Sequence, residues 1–484
     1  MFIMCEFCIR DEEARRAEAI GSNGTAGPSL AGQTVNSFQA GFVGTDQSNM
    51  LALVYGQKWD RNDLTFSFPD QASDYGSYVT GENSTFTGLN SSQKNAAKAA
   101  LGMLESYALL QFTEVTGNQG SAEIRLGESG LPGTAWAYYP DASAQSGDVW
   151  LDNNLYDDPR VGTYAYHTFM HELGHSIGLK HGHDTSGYGA LDYAKNQMAY
   201  SVMTYNSHST SSGSTYTNEF YGYSQTYMIY DIAAVQAIYG VNWSTNSGAS
   251  IYKWSSSNGT MSINGANEAA PASNRVFSTI WDGGGRDLLD LSNYHQGTTG
   301  DMAPGQYLSF SSIQKAQVAA GVWADGNIYF ALAPNGSRRK AMIEDLILGS
   351  GDDFVYGNKT RNVIEAKGGN DRIDGRGDHD VLYGNGGKDF LKGGPGRDTL
   401  DGGLGKDTLK GGSQADVFIL NETSGKDIIK DFQAGLDRID VPDPSLASLT
   451  TNPMGHLTVD FQGNWAVLRG LTYSVSLDVN DYVF

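Results

Sequence analysis

From Gly349 onward the chain repeats itself every nine residues, and this period restricts the fold more tightly than any other feature. Read in steps of nine, Asp353, Asn362, Asp371, Asp380, Asp389, Asp398, Asp407 and Asp416 hold one register. Two residues after each comes an apolar side chain: Val355, Ile364, Ile373, Leu382, Leu391, Leu400, Leu409 and Phe418. Glycines fill the turns before the aspartates, as in Gly393-Gly394-Pro395-Gly396 and Gly402-Gly403-Leu404-Gly405. This pattern suits a Gly-rich turn followed by a very short strand with one inward side chain, two units completing each turn of a parallel β-roll. So thin a core does not offset the chain entropy alone. Aspartates stacked between neighbouring turns, with turn carbonyls, offer the shell of about six to eight oxygens that calcium takes. The expected calcium positions in the array are Gly349, Gly351, Asp353, Gly368, Asp371, Asp380, Gly386, Asp389, Gly394, Gly396, Asp398, Gly403, Gly405, Asp407 and Asp416.

A second motif carries different chemistry. His171-Glu172-Leu173-Gly174-His175 falls in a segment that reads as a helix from about Thr163 to Ile177. Residues four apart share a helix face, so both imidazoles reach one tetrahedral zinc while Glu172 projects beside them. Gly178 breaks the helix and lets His181 supply a third nitrogen, leaving one position open for water. The bound water has its pKa lowered towards ~7, and Glu172 is placed to take its proton and pass it to a leaving amine. His167, one turn before His171, reads as bordering the cleft rather than as a ligand, and His183 has a weaker claim still.

The rest of the chain is organised around these two motifs. Residues 1–35 read as a polar leader, 36–245 as a zinc metalloprotease domain, 246–348 as a connecting β region, 349–420 as the roll and 421–484 as a C-terminal β segment. Ser92 caps an expected helix from about Gln93 to Phe112, and another is expected from about Tyr227 to Tyr239. Ala122 to Leu126, Thr134 to Tyr139 and Asp148 to Leu151 read as strands packed on the first helix. A net charge of −22 argues against nucleic acid, which needs a basic face. No stretch approaches the ~20 apolar residues of a membrane helix. The only cysteines, Cys5 and Cys8, lie at the N-terminus, so no disulfide is expected in the folded body. The opening Met1-Phe2-Ile3-Met4 is interrupted by Glu6 and lacks the basic start of a secretory signal, so export is expected by another route.

The extended His171-Glu172-x-x-His175-x-x-Gly178-x-x-His181 pattern, with Ser201-Val202-Met203-Thr204-Tyr205 downstream, resembles the metzincins, and with the nonapeptides it resembles the serralysins. The resemblance includes Tyr55-Gly56, Gly133-Thr134-Ala135-Trp136-Ala137 along the cleft and Asp231 to Gly240. It implies an α+β metzincin-like zinc protease domain followed by an all-β parallel roll of the repeats-in-toxin type. It further implies that Met203 forms the floor below the zinc, and that Tyr205 is a reversible zinc ligand that stabilises the oxyanion. Asp282, Gly284 and Asp287 resemble a calcium loop at the domain junction, with Glu344 contributing. The array departs from the family most at Asn358 to Asn362, which lacks the glycines, and at Asp378, where glycine is usual; calcium at the Asn362 level is therefore in doubt. Gly182 stands where serralysins usually have proline.

The activity implied is a secreted zinc endopeptidase cutting internal peptide bonds of proteins, monomeric, without membrane insertion, and open to a proteinaceous inhibitor. Asp481-Tyr482-Val483-Phe484 resembles the terminal signal of bacterial type I secretion, whose machinery would be a partner. A zymogen in which a leader thiolate of Cys5 or Cys8 blocks the zinc is one reading of the leader; inert thiols are the other. The alternative function is a calcium-dependent adhesin or toxin-like binding protein with an inactive protease fold.

Overall fold

The computed structural model describes residues 33–34, 44–76, 81–141, 143–209, 216–332, 340–422, 424–452, 454 and 456–472. The leader cysteines and the terminal Asp481 to Phe484 lie outside the described residues. No helix among the described residues is long and apolar enough to cross a membrane.

The N-terminal half is built on a five-stranded sheet ordered Gln111–Glu114, Asp63–Ser67, Ile124–Ser129, Val149–Asp152, Ala135–Ala137. Its neighbours pair in parallel except at the Ala135–Ala137 edge, which runs antiparallel to Val149–Asp152. The helix packed with it runs Ser91–Tyr107, shorter than the periodicity predicts. Asn90 caps it reciprocally with Gln93, displacing the expected cap at Ser92. It stops at Tyr107 because Ala108 is extended and Gln111 and Phe112 are claimed by the sheet. Ala97, Ala100, Leu101, Leu104 and Ala108 are all buried, as the helical face requires. A helix at Gly44–Ala52 carries no strong sequence signal, yet it supplies the buried Met50 and Ala52 to the same core.

The helix bearing the histidine motif spans Tyr164–Ser176, capped by the Thr163 side chain accepting from the Tyr166 N–H. A further helix, Ile229–Tyr239, starts two residues later than expected, where the Asp231 carboxylate accepts the Met228 N–H.

The C-terminal half is all β. Two long sheets of 10 and 12 strands face each other across one file of apolar residues. In one sheet Val355 lies opposite Ile373, Ile373 opposite Leu391, and Leu391 opposite Leu409. In the other Ile364, Leu382, Leu400 and Phe418 line up in the same way. Parallel partners are therefore two nonapeptides apart, the register the repeat demands. Strands from before the array join these sheets, since Leu289 pairs with Leu346 and Leu346 with Ile364. At the far end an antiparallel meander, Ala447–Thr451, His456–Phe461 and Asn464–Thr472, replaces the parallel pairing. The expected fold class, a mixed α+β domain followed by a parallel β-roll, is the one observed.

Candidate metal centre and carboxylate rows

His171 and His175 leave the Tyr164–Ser176 helix on one face. Gly178 then takes φ 101°, and a Cβ there would sit 2.5 Å from the Gln57 carbonyl oxygen, so only glycine makes this bend. The bend delivers His181, and the three Nε2 atoms stand 3.0–3.1 Å apart. His171 Nδ1 donates to the Val202 carbonyl at 2.8 Å and His175 Nδ1 to the Leu179 carbonyl at 2.7 Å. Those bonds place both protons on Nδ1, so the Nε2 lone pairs of His171 and His175 converge beside that of His181. Burial pushes the His171 imidazole down to about 4, against protonation at neutral pH. Converging lone pairs call for a cation, and three nitrogens at this spacing fit one zinc at about 2.0–2.1 Å from each. Among the described residues these histidines form the one group of three side-chain donors close enough to share an ion.

The floor of this site is set by close packing. A Cβ on Gly174 would lie 2.7 Å from Met203 Sδ, so the helix backbone rests directly on the buried Met203. Gly182 N donates to the Met203 carbonyl at 3.0 Å, a bond that proline could not make. A Cβ on Gly182 would also meet Leu191 Cδ1 at 2.7 Å, which accounts for the glycine at this position. Tyr205 places its hydroxyl 2.7 Å from His181 Nε2. Glu172 is 5% exposed and borders a small slot shared with Thr134, Ala135, Thr168, His171 and Tyr205. His183 stacks on His181 with its ring at 5.2 Å and stays exposed.

Asp231, quoted in the sequence only as part of a longer match, ties this floor together. Its carboxylate accepts from Ser201 Oγ at 2.6 Å, Val202 N at 2.7 Å and Met228 N at 2.9 Å. Val202 in turn holds His171, so Asp231 positions a ligand through one peptide unit. Burial raises its carboxyl to about 7 against these bonds.

In the roll, Asp353, Asp371, Asp380, Asp389, Asp398, Asp407 and Asp416 are 0–2% exposed. Each Oδ1 from Asp371 to Asp416 accepts the backbone N–H of the residue 18 positions earlier. Each Oδ2 of the seven is buried without a hydrogen-bond partner. Burial raises these carboxyls to between about 6 and about 8, Asp389 and Asp398 at the low end, Asp380 and Asp407 at the high end. Rows of orphaned anionic oxygens fit calcium, with the turn carbonyls as further donors. Of the expected glycines, Gly405 must lack a side chain, because a Cβ would run into the Gly387 carbonyl of the turn below. Gly349, Gly351, Gly394, Gly396 and Gly403 are equally close to backbone, while Gly368 and Gly386 have room. Asp378 adopts φ 78°, the conformation for which glycine is the usual choice.

Asn362 differs from its neighbours. Its amide donates to the Glu344 carbonyl at 2.8 Å and its Oδ1 accepts from Asn358 N at 2.8 Å, so protein groups satisfy it. Asn362→Asp is expected to add one calcium per chain, counted by isothermal titration, together with a higher melting temperature in calcium; an unchanged count would mean that this rung lacks other donors. Beyond the array the ladder continues through Asp427 and Asp437, which accept from Asp407 N at 2.9 Å and Asp416 N at 3.0 Å. Steps of 20 and 21 residues hide them from a nine-residue frame.

At the junction, Asp282 and Asp287 are buried and Glu344 nearly so. Asp282 accepts from Tyr252 Oη and from Gly284 N, both at 2.7 Å. Asp287 N donates to Glu344 Oε2 at 2.9 Å, and Asp287 Oδ2 is buried without a partner. Burial and the neighbouring Asp282 raise Asp287 to about 8, and burial raises Glu344 to about 7. This donor set also fits a hard cation.

Comparison with known proteins agrees with both halves. A family described as Peptidase M10 serralysin C terminal matches residues 241–464, and one described as Metallo-peptidase family M12 matches residues 79–221. Similar relatives include Metallopeptidase AprA of Pseudomonas marginalis, 30% identical over 63% of this chain and 61% of the relative. Serralysin of Proteus mirabilis is 29% identical over 62% and 60%. Serralysin C of Dickeya chrysanthemi is 31% identical over 60% and 58%. The matched stretch thus spans about three-fifths of the length of each of these relatives. The fold and site are of the class that joins a metallopeptidase domain to a calcium-type β-roll. Within that class the resemblance to the serralysins, read first from the motifs, is borne out.

Proposed function

We propose that the chain is a secreted zinc endopeptidase that hydrolyses internal peptide bonds of proteins. The observation that carries this reading is the convergence of three buried imidazole nitrogens beside the Glu172 carboxylate. Zinc held by His171, His175 and His181 would polarise the scissile carbonyl and make water acidic near neutral pH. Glu172 takes a proton from the attacking water and hands it to the leaving nitrogen as the C–N bond breaks. The Tyr205 hydroxyl, beside His181, donates to the oxygen that becomes negative. The Ala135–Ala137 edge of the sheet offers backbone groups on which an extended substrate can pair as an added strand.

In this reading residues 36–245 form the catalytic domain, and the 349–420 roll, with the junction loop at Asp282, Asp287 and Glu344, folds on calcium. Low cytosolic calcium would keep the roll unfolded for a type I export machinery acting on the C-terminal signal, and external calcium would fold it. The enzyme works as a monomer, with protein substrates and a proteinaceous inhibitor as partners. Metal analysis with a long-peptide assay is the test: one zinc per chain and internal cuts are expected. A zinc-free preparation that still cuts, or a zinc-loaded one that trims only chain ends, sinks the reading.

A further inference from the structure

We propose that His167 sets the cleavage specificity: with Tyr216 it walls the slot beside Glu172, so that this slot admits only a small side chain, alanine, serine or threonine, from the residue whose amine leaves. The inference rests on the protease reading above.

The slot runs along the motif helix. Glu172, Thr168 and Tyr164 follow one another at four-residue steps and so occupy one helix face. Glu172 must reach the leaving nitrogen to protonate it, so the space leading away from Glu172 along this face lies on the leaving-group side of the scissile bond. Thr134 and Ala135 of the edge strand form the opposite wall. Thr134 Oγ1 lies 3.2 Å from Tyr164 Oη and 2.5 Å from Tyr156 Oη, which pins that wall to the helix.

His167 and Tyr216 complete the enclosure. His167 is 1% exposed, with Nδ1 2.7 Å from Ser224 Oγ and Nε2 3.1 Å from Tyr216 Oη. Tyr216 Oη donates its proton to the Thr204 carbonyl at 2.6 Å, and a carbonyl can only accept. Tyr216 must therefore accept from His167 Nε2–H, which leaves Nδ1 to accept from the Ser224 hydroxyl. The chain Ser224 to His167 to Tyr216 to Thr204 thus has one consistent direction, with a neutral imidazole. It also ties three separate segments into a rigid wall, and Thr204 precedes Tyr205. Ring packing reinforces it: His167 meets Tyr216 edge-on at 5.2 Å and Tyr223 at 5.7 Å.

What remains open is about 30 Å³. That equals roughly one water's share of liquid volume, enough for a methyl or hydroxymethyl group and too little for a leucine or an aromatic ring. A wall fixed by a closed hydrogen-bond chain does not yield to a larger side chain without breaking bonds between buried groups.

The test is a cleavage-site profile of the zinc- and calcium-loaded full chain on a mixture of peptides from a digested proteome. Alanine, serine and threonine are expected directly after the cut bond. A matched peptide with serine there should exceed its leucine counterpart by at least about tenfold in kcat/KM. Leucine, phenylalanine or tyrosine dominating that position overturns the specificity proposal and leaves the protease reading intact. A zinc-loaded chain that cuts nothing overturns both. His167→Ala should raise the leucine peptide relative to the serine peptide about tenfold, while His167→Gln, similar in bulk, keeps the parental order. Equal ratios in parent and His167→Ala refute the role given to His167. The profile of the parent decides the matter even if the alanine variant fails to fold.

Discussion

Stripping calcium from the full chain at pH 8 is expected to abolish the β-roll, seen as loss of strand signal in circular dichroism and its return when calcium is added. Seven aspartates in the array are 0–2% exposed, each with one oxygen that no protein group bonds. A buried unpaired carboxylate costs several kcal/mol even after relaxation. A whole domain holds a net of about 5–15 kcal/mol, so seven ionised carboxylates without a cation exceed what the thin apolar file can offset. Acid should act in opposite directions with and without the ion. In the metal-free fold the carboxyls rise from the usual carboxylate range to between about 6 and about 8, so the folded state binds more protons than the unfolded chain over that window. Stability of the metal-free roll therefore falls as pH rises from about 4 through about 8. With calcium the ionised form is the ligand, so acidification below about 6 should release the ion and weaken the roll. A roll whose spectrum is unchanged by chelator at pH 8, or whose metal-free form is most ordered at high pH, contradicts the carboxylate rows as the reason for folding.

The parts of this molecule legible in sequence are those whose signal is local or periodic. The nine-residue period sets the pairing of Val355 with Ile373 and of Ile364 with Leu382, because two units must close one turn. Four-residue spacing sets His171 and His175 on one face, and Gly178 marks the bend before His181. What escaped depends on contacts between distant residues. The Gly44–Ala52 helix has weak amphipathicity and is held by packing against Ile229–Tyr239, far along the chain. Asp231 reaches Ser201 across 30 positions, and His167 reaches Ser224 across 57, so neither role has a spacing rule that would announce it. Asp427 and Asp437 were missed for a different reason, since the turns lengthen while the backbone ladder continues. Asn362 was legible as a departure, and the structure supplies its physical content: an amide satisfied by Glu344 and Asn358 where its neighbours leave an anionic oxygen unpaired.

Glu172→Ala is expected to lower kcat/KM on a long peptide by on the order of 10⁴-fold while the chain keeps its zinc, because one carboxylate serves as base for the water and acid for the amine. Zinc retention follows from the geometry: the three nitrogens are oriented by the Val202 and Leu179 carbonyls and by the bend at Gly178, none of which involves Glu172. Loss of zinc would otherwise mimic loss of catalysis, so metal content must be measured on the same sample. Glu172→Gln isolates the proton chemistry, since it keeps the shape of the side chain in its buried position and removes only the ability to accept and release a proton. The two variants should be equally impaired if proton transfer is the role, whereas a packing role would leave the glutamine variant near parental activity. Glu172→Asp keeps the carboxylate but draws it back by one methylene, and should fall between them and the parent. A zinc-loaded Glu172→Gln chain within tenfold of the parent would remove Glu172 from the chemistry and leave the three histidines as a site that binds metal without this route to hydrolysis.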